Sequence, residues 1–235
     1  MAADSSTPLA GRTALVTGAS RGIGAAIAER LAGEGVRVVR LARSAMAPLT
    51  GAIDVRVDLA DPRDREAALA RITVDCGTPD IVVSSAGVFL IAPIAETTDA
   101  ALREELAINV EAPLAIARHV LPAMRARGHG LHILIGSVAD AHGFPGNAAY
   151  AASKHAVHGL HSVLTEEFRG TGVRCTLISP GPTDTAMWDA VHPDGREGFT
   201  ARADMLHPAD VADAVLYVVR TPPRVQVSNL RLGPA

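Results

Sequence analysis

The sequence predicts an α/β fold: a parallel, doubly wound sheet covered by helices on both faces. Three observations carry this. Short apolar, β-branched runs alternate with stretches whose apolar residues recur at helical spacing. The first run ends in a glycine-rich turn that opens a helix. At 235 residues, 48% of them hydrophobic, the chain has the material for one ordinary core.

The elements follow in order. Arg12–Val16 is the first strand, Gly18–Gly24 a turn, and Ile23–Glu34 a helix. Val36–Leu41 and Ile53–Val57 are the next strands, the latter running into Asp58-Leu59. Asp61 is a capping carboxylate, and Pro62 sits at the first helical position, where its missing N–H costs nothing. That helix runs to about Ile72. Asp80–Ser84 is the fourth strand and enters Ser85-Ala86-Gly87. One long helix is expected over Ala101–Arg127, with Asn109 and Pro113 inside it. Leu131–Ile135 is a strand, Ala149–Arg169 a helix and Val173–Ile178 a strand. Pro208–Arg220 is the last helix and Val225–Leu232 the last strand. Without repeats or an internal linker, residues 1–235 are expected to form one domain. Residues 1–10 would be a polar N-terminal tail, and 185–207 a segment rich in Gly, Pro and charge.

Composition excludes several classes. Net charge is −3 and the basic residues are scattered, which leaves no footprint for nucleic acid. Cys76 and Cys175 form no metal pair or disulfide framework, and no metal site is expected. His155, His158 and His161 are spaced three apart but lack an accompanying carboxylate–Cys set, so they are expected to form a solvated or subunit-facing helix stripe. Met1–Pro8 lacks the form of a signal peptide, and Ile81–Ala95 is too short to span a bilayer. The expected location is the cytoplasm, away from membranes.

The turn Thr17-Gly18-Ala19-Ser20-Arg21-Gly22-Ile23-Gly24 stands between a strand and a helix, the context that gives glycine spacing meaning. Gly18 can take positive φ. Gly22 and Gly24 let a phosphate and the neighbouring strand approach. The helix start at Ile23 offers free N–H groups to a pyrophosphate. A ribose 2′-hydroxyl calls for a carboxylate at the end of the second strand. This sequence has none there; Arg43 follows the strand and Arg21 lies in the loop. Two guanidinium groups suit a 2′-phosphate, so NADP(H) is the expected cofactor, with NAD(H) as the lesser one.

Asn147 opens the stretch Asn-Ala-Ala-Tyr150-Ala-Ala-Ser-Lys154 on a helix. Residues four apart share a helix face, so a phenol and an ammonium meet in one small volume. The ammonium is expected to draw the Tyr150 pKa toward neutrality, where a general acid–base works best.

Together the glycine loop, Asn109, Ser137, Tyr150, Lys154 and Pro180-Gly181-Pro182-Thr183 resemble the short-chain dehydrogenase/reductase family, in its shorter, single-domain branch. The resemblance covers essentially the whole chain. It implies a Rossmann-type, seven-stranded parallel sheet and reversible hydride transfer between a nicotinamide and a carbonyl or secondary alcohol carbon. Residue by residue, it makes Tyr150 the acid–base. Lys154 would lower the Tyr pKa and hold the nicotinamide ribose. Ser137 would bond the substrate oxygen, and Asn109 would hold a water that links Lys154 to solvent. Asp58 and Leu59 would meet the adenine. Ala86 and Gly87 would line the cofactor cleft. Pro180, Gly181, Thr183 and Thr185 would flank the nicotinamide. One departure stands out: the family's Asn-Asn-Ala-Gly is here Ser84-Ser85-Ala86-Gly87.

The substrate side is read from position. The candidate wall residues are Asp140, His142 and Phe144 after Ser137, and Met187, Trp188 and His192 in the 185–207 segment, which is expected to act as a lid. Ser137, His142, Phe144, Met187 and Trp188 are the substrate candidates. Trp188 could equally cover the core or a subunit contact. Arg196 and Arg202 are the cations available to a carboxylate. The ending Val225–Pro234 resembles the subgroup that oxidises 3-hydroxy acids and serine-like compounds. A 3-hydroxy acid dehydrogenase or 3-oxoacyl reductase is therefore the second expectation. A non-catalytic nicotinamide-binding regulator is a rival that would be expected to lack the Tyr, Lys or Ser. An epimerase or dehydratase of the longer branch would need a larger substrate domain. The family also implies a homo-oligomer, tetramer or dimer, through the two long helices with their faces of Ala112, Ala115, Ala151, Ala152 and Ala156.

Overall fold

The structure, a computed structural model, describes residues 9–235. Seven strands form one all-parallel sheet: β1 (Thr13–Thr17), β2 (Arg37–Ala42), β3 (Ile53–Arg56), β4 (Ile81–Ser84), β5 (Gly130–Ile135), β6 (Val173–Pro180) and β7 (Asn229–Leu232). Their order is β3-β2-β1-β4-β5-β6-β7. The six helices are α1 (Gly22–Gly33), α2 (Pro62–Cys76), α3 (Asp99–Leu106), α4 (Ala112–Arg127), α5 (Ala148–Glu167) and α6 (Pro208–Arg220).

The central strands read Ala-Leu-Val and Ile-Val-Val, buried at every position because helices cover both faces. On one face α1 and α6 bury Ile27, Leu31, Val215 and Val219 against Val16 and Val83. On the other, α2 and α4 bury Leu69, Ile72, Ile116 and Leu121 against Leu15 and Val82. The chain winds from β1 outward through β2 to β3, then returns to start the other half at β4. At that reversal the helices that follow β1 and β4 run to opposite faces of the sheet and leave a crevice at the strands' carboxyl ends.

Caps fix the helix starts. Asp61 accepts from the Arg63 and Asp64 amides, with Pro62 at the first turn as the sequence predicts. At α6, Asp210 Oδ2 accepts the His207 N–H at 2.7 Å.

Four expectations are corrected. The helix expected over Ala101–Arg127 is α3 and α4 joined by a π-turn at Ala107–Glu111. The extra residue in that turn carries Asn109, which is buried. The last strand is shorter than Val225–Leu232. Residues 225–228 are tied instead by Arg174, Thr176 and the Leu177 amide, which bond the Val225, Val227 and Ser228 carbonyls. Ala112 and Ala115 face the core, while Ala152 and Ala156 are exposed on α5. Within the N-terminal tail, residues 1–8 lie outside the described residues, and Leu9 is buried in the core cluster. Among the described residues, no helix is long and apolar enough to cross a membrane.

Candidate active site

A cleft of about 440 Å³ lies over the reversal between β1 and β4. Its floor is the glycine turn, and steric limits explain the spacing. A Cβ on Gly24 would lie 2.4 Å from the Gly18 carbonyl oxygen. A Cβ on Gly18, whose φ is +68°, would lie 2.8 Å from Ala86 Cα. A Cβ on Gly22 would meet the Thr185 methyl at 3.1 Å. The loops after β1, β4 and β6 therefore approach one another only because these residues lack side chains. Thr17 Oγ1 locks the first two loops together by accepting from the Ser85 and Ala86 amides at 3.0 and 2.9 Å.

Gly18, Ser20, Arg21, Gly22, Ile23, Gly24, Arg43, Leu59, Ala86, Gly87, Pro180, Gly181, Thr183 and Thr185 all line this one cleft. Arg21 and Arg43 are exposed on its rim. Arg40, also basic and near the end of β2, is spent elsewhere: it makes a forked pair with Asp54 at 2.7 and 2.9 Å. Asp58 lies beside the cleft, in a smaller hollow that shares Arg43 and Val57 with it. Its carboxylate accepts from the Ala60 amide, a local turn bond, and the adjacent Leu59 lines the cleft. Ser84 and Ser85 do not reproduce a pair of amides. Ser84 Oγ bonds buried His132 at 3.2 Å, and Ser85 Oγ is buried without a partner.

Ser137, Tyr150 and Lys154 converge at the inner end of the cleft. Ser137 stands just past β5, with its hydroxyl within reach of the Tyr150 phenol. Lys154 is buried, donates to the Ile135 carbonyl at 3.1 Å, and has its amine 5.6 Å from the Tyr150 ring centre. Asn109 ties the π-turn to the loop after β4 and to α5. Its Oδ1 accepts the Val88 N–H at 2.9 Å, and its Nδ2 donates to the Val88 carbonyl and to Ser153 Oγ.

The electrostatics differ from the sequence expectation. Tyr150 is pushed up to about 12, chiefly by burial; the Ser137 bond opposes this, while Glu105 and Asp140 add to it. Lys154 does not draw it down, because burial pulls the lysine itself down to about 8, against the pull of Asp140 and Glu105. The amine is still mostly protonated at neutral pH, but it is turned to the Ile135 carbonyl and does not offset the burial of the phenol. In this state Tyr150 holds its proton firmly, the form a proton donor needs.

The family assignment now rests on more than resemblance. Residues 12–196 match the family described as short chain dehydrogenase. The chain belongs to that family. It is thus an NAD(P)-dependent short-chain dehydrogenase/reductase. The chain is 34% identical over 218 residues to 3-oxoacyl-[acyl-carrier-protein] reductase of Escherichia coli, covering 88% of this chain and 89% of that one. It is 33% identical over 97% of its length to glycine betaine reductase of Emericella nidulans, but spans only 19% of that protein. Among solved structures, a metagenomic short-chain oxidoreductase in complex with NADP superposes with a TM-score of 0.80 at 29% identity, covering 97% and 99% of the two chains.

On the substrate side, Phe144, Met187 and Trp188 line the cleft of this dehydrogenase, and His142 does not. Trp188 packs on Phe89 at 5.1 Å and donates its Nε1–H to the Thr183 carbonyl. Asp140 is no wall residue: it is buried behind Ser137 and accepts from Ser179 and Arg231. Arg202 is held by Asp184 and Asp189, and Arg196 stacks on Phe199 at 4.5 Å; neither lines the cleft. Sequence reasoning missed Phe89, Leu90 and Glu104. Phe89 carried a signal, since it is one of four phenylalanines in the chain and sits two residues past Gly87.

Proposed function

We propose that this dehydrogenase is an NADP(H)-preferring carbonyl reductase and secondary-alcohol dehydrogenase acting on small substrates, with Tyr150 as its acid–base. The observation that carries the reading is the convergence of a Ser137 hydroxyl, a proton-bearing Tyr150 and a buried Lys154 at the end of a glycine-floored cleft.

The residues present fit a nicotinamide dinucleotide. The glycine turn gives a phosphate room that any Cβ would fill. The N-terminus of α1 supplies free amides to an anion. Arg21 and Arg43 would take the 2′-phosphate, Leu59 and Ala86 the adenine half, and Gly181, Thr183 and Thr185 the nicotinamide half. When bound, the cofactor supplies the hydride.

The chain's own residues do the rest. Ser137 and Tyr150 donate to the carbonyl oxygen as negative charge grows there, so they bind the transition state more tightly than the ground state. Tyr150 then gives up its proton. Lys154 would hold the ribose of a bound cofactor and return a proton to Tyr150, and Asn109 keeps the π-turn and the loop at Val88 aligned around it. The enzyme is proposed to work as a homo-oligomer in the cytoplasm, using the exposed Ala152 and Ala156 of α5. A 3-hydroxy acid or 3-oxoacyl substrate is the second reading, supported by the 3-oxoacyl reductase relative. The lack of a free cation among the described cleft residues on the substrate side speaks against the carboxylate member of that pair.

Mixing the protein with NADPH or NADH and a panel of ketones, and following absorbance at 340 nm, tests this. Ketone-dependent loss with NADPH, with tighter NADPH than NADH binding at fixed salt, is expected. Binding without any turnover would favour a regulator, and tighter NADH binding would overturn the cofactor assignment.

A further inference from the structure

The chain is poor in aromatic residues: one Trp, two Tyr and four Phe among 235. Five of these seven, Phe89, Phe144, Tyr150, Trp188 and Phe199, form one connected group. They arrive from separate places: the loops after β4 and β5, the start of α5, and the 185–207 segment. Phe89 is the hub, with ring centres 4.7 Å from Tyr150, 5.1 Å from Trp188 and 6.3 Å from Phe144. Phe199 backs Phe144 and Trp188 at 5.9 and 6.3 Å. The rings are not there to fill the core, whose largest fully buried side chains are Leu, Ile and Met. Each is only partly buried, so each keeps surface for a ligand.

Charge and hydrogen-bonding capacity point the same way. The Trp188 N–H is already used by Thr183. Arg202 and Arg196 are held outside the cleft. Among the described residues at this end of the cleft, the charged side chain besides Lys154 is Glu104, exposed at the rim, which would repel a carboxylate.

From this we infer that the substrate end is an aromatic box for a flat, uncharged ring, so that the preferred substrates are aryl ketones and the matching aryl secondary alcohols. The inference rests on the proposed carbonyl chemistry at Tyr150 for the place of the reacting carbon. The ring itself is recognised by offset and edge-to-face contacts with Phe89, Trp188 and Phe144, which a saturated ring of equal size cannot make. A carboxylate in the same place would lose its water and gain no partner. Aromatic groups also hold quaternary ammonium ions, through ring faces directed at the cation. Here the rings meet one another edge to face, at 63° to 83°. That arrangement favours a neutral ring.

Trp188 is the chain's one tryptophan and therefore reports from inside the box. Acetophenone, cyclohexyl methyl ketone, acetoacetate and a trimethylammonium methyl ketone would be titrated into the NADP⁺-loaded protein while Trp188 emission is followed. The same four would be compared by kcat/KM with NADPH. Acetophenone is expected to bind and react about tenfold better than the cyclohexyl ketone, with acetoacetate weaker still. Phe89→Leu should bring the acetophenone-to-cyclohexyl ratio close to one. Equal values for the two ring ketones in wild type, or a preference for acetoacetate or the ammonium ketone, would overturn the proposal. The binding titration repeated in Tyr150→Phe separates the two claims. An aryl preference that survives in a variant with normal turnover would sink the acid–base reading and leave the box standing.

Discussion

At the residue scale, the active-site lysine and tyrosine divide the titration between them. Tyr150, pushed up to about 12, stays protonated across the working range. Lys154, pulled down to about 8 by burial, changes charge inside it. In the proposed reduction Tyr150 holds its proton until transfer and Lys154 must be charged to return one, so activity is expected below the lysine's pKa. kcat/KM for ketone reduction is expected to be level up to about pH 7 and to fall tenfold per unit above about pH 8–9. A profile level to pH 10 would show that the Lys154 charge is not needed. Sequence spacing located this pair but misjudged its direction. Spacing says which groups meet; it does not say that burial will outweigh their attraction.

At the element scale, the glycine turn is the part that tolerates least. The Gly24 position is closed by the carbonyl oxygen of Gly18, a backbone atom that cannot swing aside. Gly24→Ala is expected to weaken cofactor binding at least about tenfold, or ~1.4 kcal/mol, by forcing α1 away from the turn. Titration of NADPH against the variant checks this, and binding within about twofold of wild type would contradict it. Most elements were legible to within a few residues, because the alternation of apolar runs sets strand and helix directly. Pro208–Arg220 was read at both its ends. Two features were not legible. The π-turn at Ala107–Glu111 leaves the apolar pattern helical and shows itself only in backbone bonding. Residues 225–228 have strand composition, but Val225 and Val227 give their carbonyls to side chains of β6. In the site, the glycine loop and the Tyr150–Lys154 pair were readable from spacing, and Ser137 only from the family resemblance. The Phe89 ring group was not, since its members meet only through the fold.

At the scale of the whole molecule, two buried titratable groups set how stability follows pH. His132, in the middle of β5, is fully buried and pulled down to about 4, mainly by burial with His161 adding. Its folded pKa lies below the unfolded value of about 6.5, so its contribution is present above pH 6.5 and is lost as pH falls toward 4. The loss is on the order of 3 kcal/mol. Glu105, buried and raised to about 7, acts with the opposite sign: its contribution is present below about pH 4.5 and is lost as pH rises through 7. Replacing His132 with Leu leaves Ser84 short of a partner and lowers stability at pH 7. It should also remove the acid-side loss. Urea midpoints at pH 5 and pH 7 would be closer together in His132→Leu than in wild type; an undiminished gap would show that His132 is not the group responsible.

The central claim is that the Tyr150 phenol carries the proton for chemistry at a nicotinamide, and removing one oxygen atom tests it. Tyr150→Phe should bind NADPH with wild-type affinity while its ketone turnover, followed at 340 nm, falls at least a hundredfold, about 2.7 kcal/mol of barrier. Turnover within about threefold of wild type, under ~1 kcal/mol, would contradict it.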